Sequence, residues 1–300
     1  MLQKQVAILP VPFDWGASRR GAAGGPQAVI LAGLEQKLQQ LGLNYSLHRE
    51  FHLQDPPADR RSSKRMKHWG RVHDMSLAVS GEIARLVSCG YFPLTLGGDH
   101  SIAMGTIAGL TEHKQRLGVI WIDAHADLNT PRTSPSGNLH GMSLAAGLGH
   151  GDSRFTRLRG FSPKLQPGRI VLVGARQLDE GEKQLIRTLG VTCFTMQDID
   201  RLGMARVMEQ TIRIASNGSD GIHVSFDIDC IDPGEAPGTG TPVRGGLSYR
   251  EAHLAMEMLA ETGAVTSADM VEVNPLLDPS SGTARLAVEL IGSLLGERIL

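Results

Sequence analysis

The chain is poor in the features that mark several protein classes. It has three cysteines, Cys89, Cys193 and Cys230, in 300 residues. Their number is odd and none stands in C-x-x-C spacing, which disfavours a disulfide framework or a thiolate metal site and fits a reducing compartment. Aromatics are scarce, with 7 Phe, 3 Tyr and 3 Trp. Neither sign of charge dominates, since 30 Lys and Arg stand against 31 Asp and Glu, a formal net charge of −1. The general basicity of a nucleic-acid binder is missing. No stretch approaches the roughly 20 apolar residues of a membrane span, and the opening MLQKQVAILPVPF holds too short an apolar run for a signal peptide. The expectation is a cytoplasmic protein acting on a small molecule, with neither nucleic acid nor membrane as partner.

What the chain does have is glycine, 36 of 300 residues, well above the usual share of about 7% and a sign of tight turns and close backbone approaches. Its length suffices to fold without a metal or a partner, so any metal would serve chemistry. Short aliphatic runs alternate with longer amphipathic stretches, the pattern of βαβ units and a parallel sheet buried on both faces. Eight strands are expected, near Val6 to Leu9, Asn44 to His48, Phe92 to Leu96, Val119 to Ile122, Ile170 to Val173, Val191 to Phe194, His223 to Phe226 and Ser267 to Val271. Gly25-Pro26 opens a helical stretch carrying Ile30, Leu31, Leu34, Leu38 and Leu41. Further helices are expected at Met75 to Cys89, Ser101 to Gln115, Glu180 to Leu189, Met204 to Ala215, Tyr249 to Glu261 and Ala284 to Leu295, with Gly90, Gly118, Gly190 and Gly263 as stops. No repeat, low-complexity segment or long linker divides residues 1–300, so one α/β domain is expected. The basic run from Arg60 to His68 reads as a solvated loop, with phosphate binding or a subunit contact as the alternative.

Four clusters of potential ligands follow four of these strands: Gly97-Gly98-Asp99-His100, Asp123-Ala124-His125-Ala126-Asp127, Asp227-Ile228-Asp229 and Glu272-Val273-Asn274. The carboxyl edge of an open parallel sheet is where ligands bind, so the clusters can converge in one crevice. In Asp123-x-His125-x-Asp127 an extended backbone puts three ligands on one side. Carboxylates packed this closely repel one another and demand a proton or a cation. Asp123, Asp127, Asp227 and Asp229 with His100 and His125 are enough for two divalent ions with bridging carboxylates, an oxygen-rich set that suits Mn²⁺. Two such ions lower the pKa of a shared water, which implies metal-assisted hydrolysis. The other histidines, His48, His52, His68, His73, His113, His150, His223 and His253, have no ligand-type neighbours and read as surface or satisfied core residues; His140 stands apart, just beyond the loop that follows Asp127.

These residues resemble the ureohydrolase family, and within it the arginases. The matching segments are GGDHS at 97–101, DAHADLNTP at 123–131, SGNLHGM at 136–142, SFDIDCIDP at 225–233, GTGTPVRGGLSYRE at 238–251, EVNP at 272–275 and AVELIGSLLG at 287–296. The resemblance implies a three-layer α/β/α fold with an eight-stranded parallel sheet and two Mn²⁺ per chain. One ion would take His100, Asp123, Asp127 and Asp227, the other Asp123, His125, Asp227 and Asp229. Asn129, Ser134, Ser136 and Asn138 resemble the segment that binds the substrate α-carboxylate, which favours L-arginine over agmatine. Asp179 and Glu182 match the segment near the α-amine. Gln177 stands where arginases usually carry an aspartate, which leaves room for another guanidino acid such as 4-guanidinobutyrate. By the same resemblance Glu272 would pair with the guanidinium, Thr241 would support Glu272, Asp127 would relay a proton and His140 would shuttle one near the leaving amine. A homotrimer or homohexamer is implied, with Tyr249-Arg250-Glu251 at the subunit contact. A non-catalytic homologue would ordinarily have lost a ligand, and none is missing.

Overall fold

All eight expected strands form, and they form one sheet. The computed structural model describes residues 5–48 and 61–298; His52 and Arg60 lie outside them. The strands are β1 (Val6–Val11), β2 (Tyr45–Leu47), β3 (Phe92–Gly97), β4 (Gly118–Ile122), β5 (Ile170–Ala175), β6 (Thr192–Thr195), β7 (Ile222–Asp227) and β8 (Val265–Val271). Every pairing is parallel, in the order β2-β1-β3-β8-β7-β4-β5-β6. The helices are α1 (Gly25–Leu31), α2 (Leu34–Gln40), α3 (Trp69–Ser88), α4 (Ala103–Leu110), α5 (Ser143–Gly147), α6 (Ser153–Thr156), α7 (Glu180–Leu189), α8 (Met196–Leu202), α9 (Met204–Ser216), α10 (Tyr249–Thr262) and α11 (Gly282–Leu294).

The strands are apolar at successive positions because both faces are covered. In β4, Val119 and Trp121 pack with Met75, Val79 and Ile83 of α3 and Ile107 of α4. The alternate residues Ile120 and Ile122 join the core that holds Val207 of α9, Leu259 of α10 and Leu290 of α11. The result is the expected three-layer α/β/α arrangement. Strand order then assembles the site. β8 and β7 insert between β3 and β4, so the strands bearing the four polar clusters are immediate neighbours.

Some helix boundaries differ from expectation. The stretch opened by Gly25-Pro26 breaks into α1 and α2 at Gly33, whose φ of +108° is a conformation that glycine alone adopts cheaply. The segment after Asp99 starts as a short 3-10 turn and ends as α4 at Leu110, so Gly118 opens β4 instead of stopping a helix. Helix α3 begins at Trp69 rather than Met75. Helix α8 was not expected; Thr195 and Asp198 cap its first turn reciprocally. The basic run is only partly solvated. Residues 61–65 are exposed, but Met66 is buried and Lys67 half-buried.

Candidate active site

β3 ends at Gly97 and the chain turns at Gly98, where a Cβ would lie 1.9 Å from the Phe13 carbonyl oxygen. Only glycine lets the loop after β1 pack that closely, and this turn delivers His100 into the crevice. His100 is fully buried and stacks on Trp121, with ring centroids 4.2 Å apart and planes 7° from parallel. Its Nε2 lies 2.9 Å from Ser225 Oγ. Its Nδ1 faces Asp123 Oδ2 at 3.1 Å, Asp127 Oδ2 at 3.1 Å and Asp227 Oδ2 at 3.2 Å. Without a cation, Nδ1–H is the donor to these carboxylates; a proton on Nε2, donated to Ser225, would free the Nδ1 lone pair for a metal ion.

A second convergence lies beside the first. His125 Nδ1 is 3.1 Å from Asp229 Oδ2 and 3.4 Å from Asp123 Oδ1. Asp123 therefore faces the two imidazoles through different oxygens. Backbone amides fix the carboxylates, with His125 N donating to Asp123 Oδ1 at 2.7 Å, Asp229 N to Asp227 Oδ1 at 2.8 Å and Ala124 N to Asp229 Oδ1 at 3.2 Å. Trp121 Nε1 donates to Asp123 Oδ2 at 3.0 Å.

The electrostatics follow from this crowding. Burial pushes Asp127, Asp227 and Asp229 above the usual carboxylate range, and their neighbours' negative charge adds to it. Burial opposes ionisation of Asp123 too, but hydrogen bonds from His100 and His125 outweigh it and hold Asp123 well below that range. Burial disfavours a charged His100, yet the surrounding carboxylates raise its pKa. Asp127 Oδ2 is buried and receives no hydrogen bond. Ligand atoms of His100, Asp123 and Asp227 lie within 4.8 Å of one another, as do those of Asp123, His125 and Asp229. Buried acids in excess, an orphaned oxygen and two convergent donor sets fit a pair of divalent cations.

Above this floor opens a cavity of about 290 Å³. His125, Asp127 and Asp227 reach its base, Asn129, Ser134, Ser136 and Asn138 line one wall, and His140, Gln177, Asp179, Glu182 and Thr241 complete it. Glu272 lies beneath, 2% exposed, with its Oε1 accepting from the His100 amide at 2.9 Å and lying 3.0 Å from His140 Nδ1. No described residue donates to its Oε2. Burial alone would lower the His140 pKa, but the Glu272 hydrogen bond and charge lift it to about 9. Asp127 and Glu272 both have positive φ, 51° and 65°, a cost tolerated where the surroundings over-determine the backbone.

Four of the residues singled out in the sequence have partners that the sequence did not indicate. Thr241 Oγ1 donates to Asp229 Oδ2 at 2.9 Å, so its hydrogen bond supports the carboxylate floor rather than Glu272. Glu182 accepts from the backbone of Asp179 at 2.9 Å and of Leu128 at 3.1 Å, bracing α7 against the loop after β4. Gln177 Oε1 lies 3.3 Å from His125 Nε2. Asp179 takes the Asn129 amide at 2.7 Å.

Sequence reading missed others. Asp99 stood among the possible ligands, but both its oxygens are engaged by the amides of Gly16, Ala17 and Ser101. Arg176 donates to the carbonyl oxygens of Gly174, Asp229, Cys230, Ile231 and Val243, at 2.7 Å to both Asp229 and Val243. It ties the loop after β5 to the loop after β7. Carbonyl acceptors leave no mark in a sequence, so only the unpaired charge between a strand and a helix could have flagged it. The period-two placement of Trp121 before Asp123 was a usable signal.

A family model described as the arginase family matches residues 4–296. The arginase of Bacillus caldovelox is 49% identical over 300 residues, covering 99% of this chain and all of that protein. The arginase of Brevibacillus brevis is 46% identical over 299 residues, with complete coverage of both. The native structure of the Bacillus caldovelox arginase superimposes with a TM-score of 0.96 over 99% of this chain and all of that one.

Proposed function

Since the chain belongs to the arginase family and hydrolyses L-arginine to L-ornithine and urea, we propose that it does so with two Mn²⁺, one held by His100, Asp123, Asp127 and Asp227 and the other by Asp123, His125, Asp227 and Asp229. The observation that carries this assignment is Asp123, placed between two imidazoles through its two oxygens amid otherwise uncompensated buried acids. When bound, the ions supply the Lewis acidity that makes water nucleophilic near neutral pH.

The protein's own groups do the rest. Glu272 Oε2, the oxygen without a donor, holds the guanidinium over the floor and restricts its approach. Asp127 Oδ2 accepts a proton from the water whose oxygen adds to the guanidino carbon. The bond from that carbon to the side-chain nitrogen of the nascent ornithine then breaks, and a proton passes to that nitrogen. His140, charged near neutral pH because Glu272 faces its Nδ1, supplies protons on that side of the cavity. Asn129, Ser134, Ser136 and Asn138 receive the α-carboxylate, and Asp179 and Glu182 form the acidic side toward the α-amine. The engagement of Gln177 with His125 supports leaving that role to the two acids.

We also propose one domain over residues 1–300, a cytoplasmic location and a homotrimer or homohexamer. The free cysteines support the location. Among the described residues no helix is long and apolar enough to cross a membrane.

Urea release by Mn²⁺-reconstituted protein, measured with L-arginine, agmatine and 4-guanidinobutyrate at matched concentrations, tests the substrate assignment. L-Arginine is expected to be fastest, with two metal ions per chain. Faster turnover of either other compound would overturn the α-carboxylate and α-amine assignments while leaving the floor intact.

A further inference from the structure

The basic run that the fold leaves partly exposed ends at the cavity wall. Lys67 Nζ lies 3.2 Å from Asn138 Oδ1 and 3.1 Å from Ser18 Oγ, and Ser18 Oγ donates to the same Asn138 Oδ1 at 2.7 Å. Both lone pairs of that oxygen are taken. This settles which way the Asn138 amide faces: its oxygen points outward to Lys67 and Ser18, and its two N–H donors are left to the cavity that Asn138 lines.

The contact is built into the backbone. Lys67 N donates to Gly137 O at 2.9 Å, and a backbone bridge joins Ser63 to Met66, which is buried. Gly137 has φ +71°, and a Cβ there would lie 2.1 Å from Lys64 O. The two loops touch main chain to main chain, so the lysine and the asparagine keep a fixed relation. No carboxylate among the described residues pairs with Lys67, so its charge is available to a ligand anion.

We propose that Lys67 is a positioning residue for specificity, which orients the Asn138 donors and adds one positive charge where the α-carboxylate of an amino-acid substrate binds. The proposal rests on the assignment of the Asn129-to-Asn138 wall to that carboxylate. It makes Lys67 matter for L-arginine and not for agmatine, the same molecule without the carboxylate.

The test compares both substrates with Lys67→Met, Lys67→Gln, Lys67→Arg and Asn138→Ala in Mn²⁺-loaded protein. For Lys67→Met and Lys67→Gln the expected result is a KM for L-arginine raised about 5–20-fold with kcat within about twofold, the mark of lost binding common to ground and transition states. Their kcat/KM for agmatine stays within about twofold of wild type, and Lys67→Arg recovers most of the arginine KM. An equal loss on both substrates, a fall in kcat instead of a rise in KM, or no change overturns the proposal. If Asn138→Ala weakens L-arginine selectively and the Lys67 variants do not, Lys67 alone is misassigned. If Asn138→Ala also spares the arginine preference, the carboxylate wall itself is wrong.

Discussion

Asp123, Asp227 and Glu272 leave the ends of neighbouring strands and are at most 3% exposed. Ser134, Ser136 and Asn138 ride instead on a surface loop held partly by short-range bonds, Gly137 N to Ser134 Oγ and Asn138 N to Ser136 Oγ, and partly by the reach of Ser18 and Lys67 to the Asn138 side chain. The floor of the cavity thus takes its geometry from sheet register and backbone amides, and the wall takes its geometry from a local turn strapped to residues 63–67. The contrast follows from what each must do. Buried carboxylates are tolerable only when their positions are locked and their charge is compensated, so they sit on the most rigid backbone available. Neutral hydroxyls and amides at a wet rim cost little to expose and can be rearranged without unfolding the sheet.

The strongest way to break this comparison is at the floor. Asp227→Ala is expected to cut urea release by about 10³-fold or more and to reduce bound metal, read by elemental analysis beside the activity assay. Activity within about tenfold of wild type would move the chemistry off the floor. Next comes the tie between loops. Arg176→Met leaves the carbonyls of Asp229, Ile231 and Val243 without the guanidinium that donates to them, while Cys230 O keeps the Leu247 amide, and is expected to lower the unfolding free energy by about 2–4 kcal/mol in urea titrations. A change under about 0.5 kcal/mol would show that the loop after β7 keeps its place unaided.

The smallest expected effect lies at the junction of floor and wall. His140 has a folded pKa of about 9 against an ordinary value of 6.5, because Glu272 stabilises its charged form against burial. Its contribution to stability is therefore complete below pH 6.5 and disappears as the pH rises through 9, an effect of about 1–3 kcal/mol in metal-free protein. Denaturant midpoints of wild type and His140→Asn at pH 6 and pH 9.5 measure it. Parallel pH dependences would mean that the pair is not ionic.

Much of this was legible beforehand for a physical reason. Asp123 and Asp227 stand at the ends of buried strands, so Ile122 and Phe226 announce them and the remaining floor residues follow strand ends within a few positions. The six expected metal-binding residues and Glu272 do meet around one crevice. The partners of Lys67, Arg176 and Thr241 were not legible. Lys67 and Asn138 are 71 positions apart, Arg176 binds carbonyls that every residue carries, and Thr241 reaches across a loop to Asp229. The break at Gly33 was hidden by an apolar period that continues on either side of it.

By itself the sequence determined the alternation of strands and helices, the burial of both sheet faces and the ligand types at four strand ends, because side-chain polarity and spacing act locally. Tertiary structure alone decided that β8 and β7 lie between β3 and β4, bringing those ends together. It also decided which hydrogen bonds orient each ligand and how the basic run meets the cavity wall, since strand order and long-range contacts depend on packing energies summed over the whole sheet.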